Sequence, residues 1–212
     1  MGLTRAQLIE QVLRQVYGGY VQEDSSITPM LVNQYIDQGI AVAARNNYTD
    51  NLRLEGISFV NNSFYTTFKN LVPVKDERNL WKITLPQVPV GIGYSEGIST
   101  LQFKDDQGVV SQPCIPLSQN QKTYFQTMPH IPSKTLFYSE GDKVFVISNL
   151  ILSNYTASVT MVSGGVSSDL SSVLNVPSDY MPVIVQYVQQ QLLLMKGQPK
   201  DLQNDGQDLP VN

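Results

Sequence analysis

The sequence predicts an α+β protein with four parts. These are an N-terminal helical hairpin, a central antiparallel β-sandwich or barrel-like region, a long C-terminal helix packing with the N-terminal helices, and an extended polar tail. Three observations predict this. Apolar residues recur at three- and four-residue steps at both ends of the chain. From about Leu52 to Val162, β-branched and aromatic residues come in short runs broken by Pro and Gly. After Gly197 the chain turns polar. The changes of pattern divide it into a helical hairpin (1–51), a β-rich insert (52–165), a linker with the C-terminal helix (166–197) and the tail (198–212). The 212 residues suffice for one buried core with helical additions.

The first helix opens at Thr4, with Gln7 three residues on to complete a capping box. Leu8, Ile9, Val12, Leu13 and Val16 form its apolar stripe, and Gly18-Gly19 ends it. The second begins at Thr28-Pro29, an N-cap followed by Pro at the first helical position. Its stripe is Val32, Tyr35, Ile36, Ile40, Ala43 and Ala44; Gly39 and Ala41 allow close packing, and Asn46-Asn47 is the expected stop.

Candidate strands follow: SFYTTF, LWKITLP, STLQFKD, VVSQPCIPL, KTYFQTM, KTLFYSE, KVFVIS and ASVTMVS. Asp105-Asp106-Gln107-Gly108 and Glu140-Gly141-Asp142 carry hairpin chemistry, with Gly where a positive φ costs little. LPQVPVGIGYSEGIS, rich in Pro and Gly, is expected to be a long surface excursion. SGGVSSDLSS then returns the chain to helix through VPSD, where Ser178 or Asp179 is the expected cap and Pro182 falls within the first turn.

The C-terminal helix carries two apolar stripes on a wheel of about 100° per residue. Met181, Ile184, Val185, Val188, Leu192 and Met195 form one; Val183, Tyr187 and Leu194 form a second on nearly the opposite side, with Gln186, Gln189, Gln190 and Gln191 between. The first docks the helix on its own domain. The second needs another cover, either the N-terminal hairpin or a neighbouring subunit. Charged residues are only 15% of the chain, below the roughly 25% usual in soluble domains. Uncharged polar groups take their place, which lowers the cost of desolvating a contact surface.

Composition excludes several functions. The net charge is −4 with no Lys/Arg cluster, so a grip on nucleic-acid phosphates is not expected. No apolar run is long enough to span a membrane. MGLTRAQLIEQ lacks a signal-peptide core, and Ala6 breaks the myristoylation pattern. The one cysteine, Cys114, excludes an intrachain disulfide and reads as a buried, inert thiol. The one histidine, His130, lies between prolines and reads as a loop residue, with no nucleophile elbow to complete a triad. Asp105 and Asp106 read as turn residues. Asp201, Gln203, Asp205, Gly206, Asp208 and Asn212 miss the EF-hand pattern at its third and twelfth positions. GIGYSEG misses the dinucleotide fingerprint at its last glycine. The expectation is a protein with no catalytic residue, cofactor or metal.

The order of elements, carried by TRAQLIEQVLRQVYGG, ITPMLVNQYIDQGIAVAARNN and VPSDYMPVIVQYVQQQLLLMKGQPKDLQNDG, resembles the head-to-tail connector proteins of short-tailed bacteriophages. These adaptor or ring proteins sit beneath the portal, and the likeness is nearest to those of crAss-like phages. The resemblance covers most of the chain in architecture and the β-region only loosely. It implies a virion structural protein without catalysis, a homo-oligomeric and twelve-fold ring around the DNA passage. Its partners would be the portal and adjacent tail or ring proteins, with no membrane contact. Twelve copies would carry about −48, and such a lumen would repel DNA and let it slide through without sequence-specific binding.

On this reading Val183, Tyr187 and Leu194 meet a ring neighbour or the portal. The tail leaves its own subunit for another chain, anchored by Leu202, Leu209, Pro210 and Val211. Its last 13 residues, 200–212, reach about 43 Å when extended. The alternative is a carbohydrate- or receptor-binding β-module of a phage tail fibre, which predicts exposed Tyr and Trp clustered on one face of the β-region.

Overall fold

The computed structural model describes residues 3–19, 27–92, 97–111, 113–117, 121 and 134–197. The strand expected at KTYFQTM and the polar tail lie outside them.

Helix α1 spans Arg5–Val16 and carries the expected capping box: Thr4 Oγ1 accepts from Gln7 N at 3.3 Å, and Thr4 N donates to Gln7 Oε1 at 3.0 Å. Two more first-turn amides find partners far along the chain. Arg5 N donates to Ser172 O and Ala6 N to Leu170 O, so the Gly/Ser-rich linker is docked against the start of α1.

Helix α2 spans Pro29–Glu55, capped by the Thr28 side chain and ended by Gly56 in a left-handed conformation. It runs through the expected stop at Asn46-Asn47 and past the boundary at 51. The reason is tertiary. Asn47 is buried, and its Oδ1 accepts from Asn61 N at 2.8 Å and from Asn51 Nδ2 at 3.3 Å. A side chain satisfied at a distance no longer competes with the local helix.

Helix α3 spans Met181–Gly197. Its first turn closes from Ile184 N to Tyr180 O, so the helix begins after Ser178 and Asp179, and neither stands at its boundary. The preceding turn, Tyr180 N to Pro177 O, occupies those residues. Pro182, second in the helix, displaces no intrahelical bond.

The strands are β1 (Tyr65–Leu71), β2 (Val74–Lys75), β3 (Trp81–Thr84), β4 (Ile98–Lys104), β5 (Ile115–Pro116), β6 (Leu136–Glu140), β7 (Lys143–Ile147) and β8 (Thr156–Val162). They form two sheets, ordered β1-β8-β4 and β2-β3-β7-β6-β5; the described strands do not close into a barrel. Every pairing is antiparallel except β5 with β6. VVSQPCIPL, expected as one strand, contributes among its described residues a bridge from Val110 to Lys104 and the two residues of β5. Pro113 and Pro116 have no N–H to give a ladder. The two turns fall as expected: Gly141 (φ 62°) stands between β6 and β7, and Asp105 Oδ1 accepts from Gln107 N and Val109 N ahead of β5.

The interior has two main parts. Leu8, Val12, Val32, Ile36, Ile40, Phe64, Ile184, Val188 and Leu192 belong to a helical core that also takes Val162 from the end of β8. Phe68, Trp81, Ile83, Leu101, Phe103, Phe137, Val144, Val146, Val159 and Met161 belong to a second, drawn from both sheets. LPQVPVGIGYSEGIS is not wholly a surface excursion. Ile92 is buried in the helical core with Val90 packed against it, and Arg45 Nε donates to Gly91 O at 3.0 Å.

Candidate subunit interface

The most extensive helix–helix contact is that of α2 with α3. They run antiparallel: Tyr180 OH donates to Asp50 Oδ2 at 3.0 Å at one end, and Tyr35 OH meets Met195 Sδ at 3.1 Å at the other. Gly39 makes the close approach possible, because a Cβ there would lie 3.1 Å from Ile184 Cγ2 and 3.4 Å from Tyr187 Cδ1. Ile184, Val188 and Leu192 are fully buried, worth about 1.5–3 kcal/mol each, so the first stripe holds α3 on its own chain.

The second stripe divides. Tyr187 is half-buried against α2, and its hydroxyl donates to Gln38 Oε1 at 3.2 Å. Val183 is half-buried. Leu194 is 65% exposed, beside Leu193 and Met195, which are exposed too. Gln34 and Gln38 of α2 and Gln186 and Gln190 of α3 are exposed, and from Met181 to Met195 no residue of α3 carries a charge. An uncharged helical surface ending in exposed Leu and Met suits a protein contact. Leu202, Leu209, Pro210 and Val211 lie outside the described residues.

A second exposed apolar group escaped the sequence reading. Leu52, Leu54, Ile57 and Phe59 follow one another around the end of α2, with Leu54 83% exposed. Extending α2 to Glu55 puts them at its C-terminal tip. Since Tyr35 meets Met195, the Leu193–Met195 group lies beside the first turns of α2, about 25 Å along the axis from Leu52. The signal was present in LRLEGISF, where no helical stripe accounts for the apolar residues.

Arg5 is fully buried; Nη1 donates to Asn33 Oδ1 at 2.8 Å and Nη2 to Asp37 Oδ1 at 2.6 Å, while Nε has no partner. Asn33 Nδ2 reaches Ser167 O at 2.8 Å, which ties α1, α2 and the linker together. Burial raises the Asp37 carboxyl above its ordinary range, against the pull of Arg5. Asp37 also borders a cleft of about 350 Å³ with Arg45, Val88, Val90, Gly91 and Ser163. Three of its polar side chains are engaged: Asp37 by Arg5, Arg45 by Gly91 O, and Ser163, whose hydroxyl donates to Gly165 O.

Cys114 is buried, and burial pushes its thiol up to about 12. Trp81 is buried, with Lys75 Nζ 5.4 Å from its ring centre. His130 lies outside the described residues, as do Tyr94 and the 198–212 tail. Among the described residues no group of three or more His, Cys, Asp or Glu is placed to hold a metal ion, and no helix is long and apolar enough to cross a membrane. No protein-family model matches the chain, and no curated protein matches it by sequence.

Proposed function

We propose that this is a non-catalytic virion structural protein that assembles head to tail into a ring of the phage head-to-tail connector, beneath the portal and around the DNA passage. The observation that carries the reading is the pair of unlike apolar surfaces at opposite ends of α2: Leu193, Leu194 and Met195 at one end, Leu52, Leu54, Ile57 and Phe59 at the other. A two-fold dimer repeats one patch on both partners. Two different patches that meet across copies generate a heterologous contact, which closes into a ring when the rotation permits. The resemblance in element order supplies the connector setting and the twelve-fold expectation. The helical part is then the N-terminal pair with α3 docked along it, and the two sheets sharing one core form the sandwich-like insert.

The tail-fibre alternative gains no support from the aromatic residues. Among the described residues of the β-region, Tyr65, Trp81, Tyr138 and Tyr155 are buried or half-buried, and Tyr138 stacks on Phe145 with ring centres 5.3 Å apart. The test uses two variants, Leu54→Asp and Leu194→Asp, each blocking one patch. Alone, each should remain monomeric. Mixed, they retain one compatible pair of surfaces and should form a dimer that grows no further. Mixed variants that stay monomeric, or single variants that still assemble, would refute a head-to-tail contact through these patches.

A further inference from the structure

We infer that the outer face of the β1-β8-β4 sheet holds a binding site for a phosphoryl group. The cleft there has a volume of about 290 Å³ and is lined by Lys69, Gln102, Lys104, Thr156 and Ser158 with the turn at Gly108. The three strands point Phe68, Leu101, Phe103, Ala157, Val159 and Met161 into the core between the sheets. The alternating residues therefore face the other way. At the Val162 end that outer face is covered by the helical core; at the Thr156 end it is open.

The chain as a whole is −4, yet β1, β4 and β8 contain Lys69 and Lys104 and no Asp or Glu. Asp105 is adjacent in sequence, but its Oδ1 is turned back to the amides of Gln107 and Val109, at 3.0 and 2.7 Å. Neither lysine forms an ion pair among the described residues. Lys69 is set by a β-bulge: pairing runs from Phe68 opposite Val159 to Leu71 opposite Ala157, with Lys69 and Asn70 both facing the single residue Ser158. Bulges re-aim side chains in this way. Asn70 adopts a positive φ of 59° to make it.

Lys69, Lys104, Asn70, Gln102, Thr156 and Ser158 thus border one cleft; the Thr156 hydroxyl donates to Lys104 O, and the Lys69, Lys104, Ser158 and Gln102 side chains have no hydrogen-bond partner among the described residues. A phosphoryl group offers several acceptor oxygens and a charge that lysines meet as point charges. Two sources share this chemistry: free phosphate, and the phosphodiester backbone of duplex DNA. The second rests on the ring reading; the first does not.

The test titrates the full chain with inorganic phosphate, and separately with a duplex of random sequence at several salt concentrations. Lys69→Gln/Lys104→Gln is compared with Lys143→Gln, which removes a charge from the other sheet. The double variant should bind whichever probe the wild type binds at least tenfold more weakly, with the control within twofold. For the duplex, the slope of log affinity against log salt should fall by about 2. Binding of phosphate that displaces the duplex assigns the free ion as sufficient, and duplex binding that phosphate leaves intact assigns the backbone. The inference fails if the wild type binds neither probe, or if the control weakens as much as the double variant. Native mass measured on the same samples reports ring assembly separately, so failure here leaves the ring reading standing and the converse.

Discussion

At the residue scale, Arg5 stands out as a fully buried charge. It is buried without a partner for Nε, and Asp37, its counter-ion, is held against a desolvation cost that exceeds the attraction. Removing one partner of such a pair leaves the other charge unpaired, whereas removing both takes away the cost as well. Arg5→Met alone should therefore lower stability by about 3 kcal/mol in urea denaturation, and Arg5→Met/Asp37→Leu by clearly less. Additive losses would contradict this account of the pair. Because the Asp37 carboxyl is raised in the folded state, the native protein holds that proton more tightly than the unfolded chain. Its contribution to stability is present at low pH and is lost as pH rises through the folded value. Asp37→Asn should flatten that part of a stability–pH profile. Cys114, its thiol pushed up to about 12, should stay inert to a thiol reagent at pH 8 until the chain unfolds. Fast labelling of the native protein would show the β-region open.

At the scale of elements, the α2–α3 contact depends on Gly39. Gly39→Leu places a side chain where Ile184 and Tyr187 already lie, and should cost about 2–3 kcal/mol or displace α3. Thermal melting that is unchanged would mean that the helices do not meet there. Tyr187 touches the same spot, so Tyr187→Asp should destabilise the chain itself rather than act on assembly alone. Leu194 carries the interface test more cleanly. Local signals made α1, its capping box, the start of α2, the stripe Ile184-Val188-Leu192 and both turns legible in the sequence, because each depends on residues within a turn or two. What was not legible depended on distant partners. Asn47 continues α2 because Asn61 satisfies it, Leu170 and Ser172 cap α1 from the far end of the chain, and Val90 and Ile92 enter the helical core from a Pro/Gly-rich segment. Of the residues proposed for the interface, the stripe on α3 was visible as a pattern. The tip at Leu54 and Ile57 showed only as apolar residues that no helical stripe explains, because its exposure follows from where α2 ends.

At the scale of the whole molecule, the described residues leave two apolar ends exposed. A monomer exposing both sets would be prone to associate, and a head-to-tail contact covers both at once. The uncharged glutamines between them limit the desolvation cost of that contact. The most direct measurement is the native mass of the purified full chain over a range of concentrations, beside Leu194→Asp under identical conditions. A head-to-tail ring predicts a closed species of fixed stoichiometry, a high multiple of the 23.6 kDa subunit, for the wild type, and a folded 23.6 kDa monomer for the variant. A wild type that stays at 23.6 kDa throughout, or a variant that assembles equally well, would contradict it.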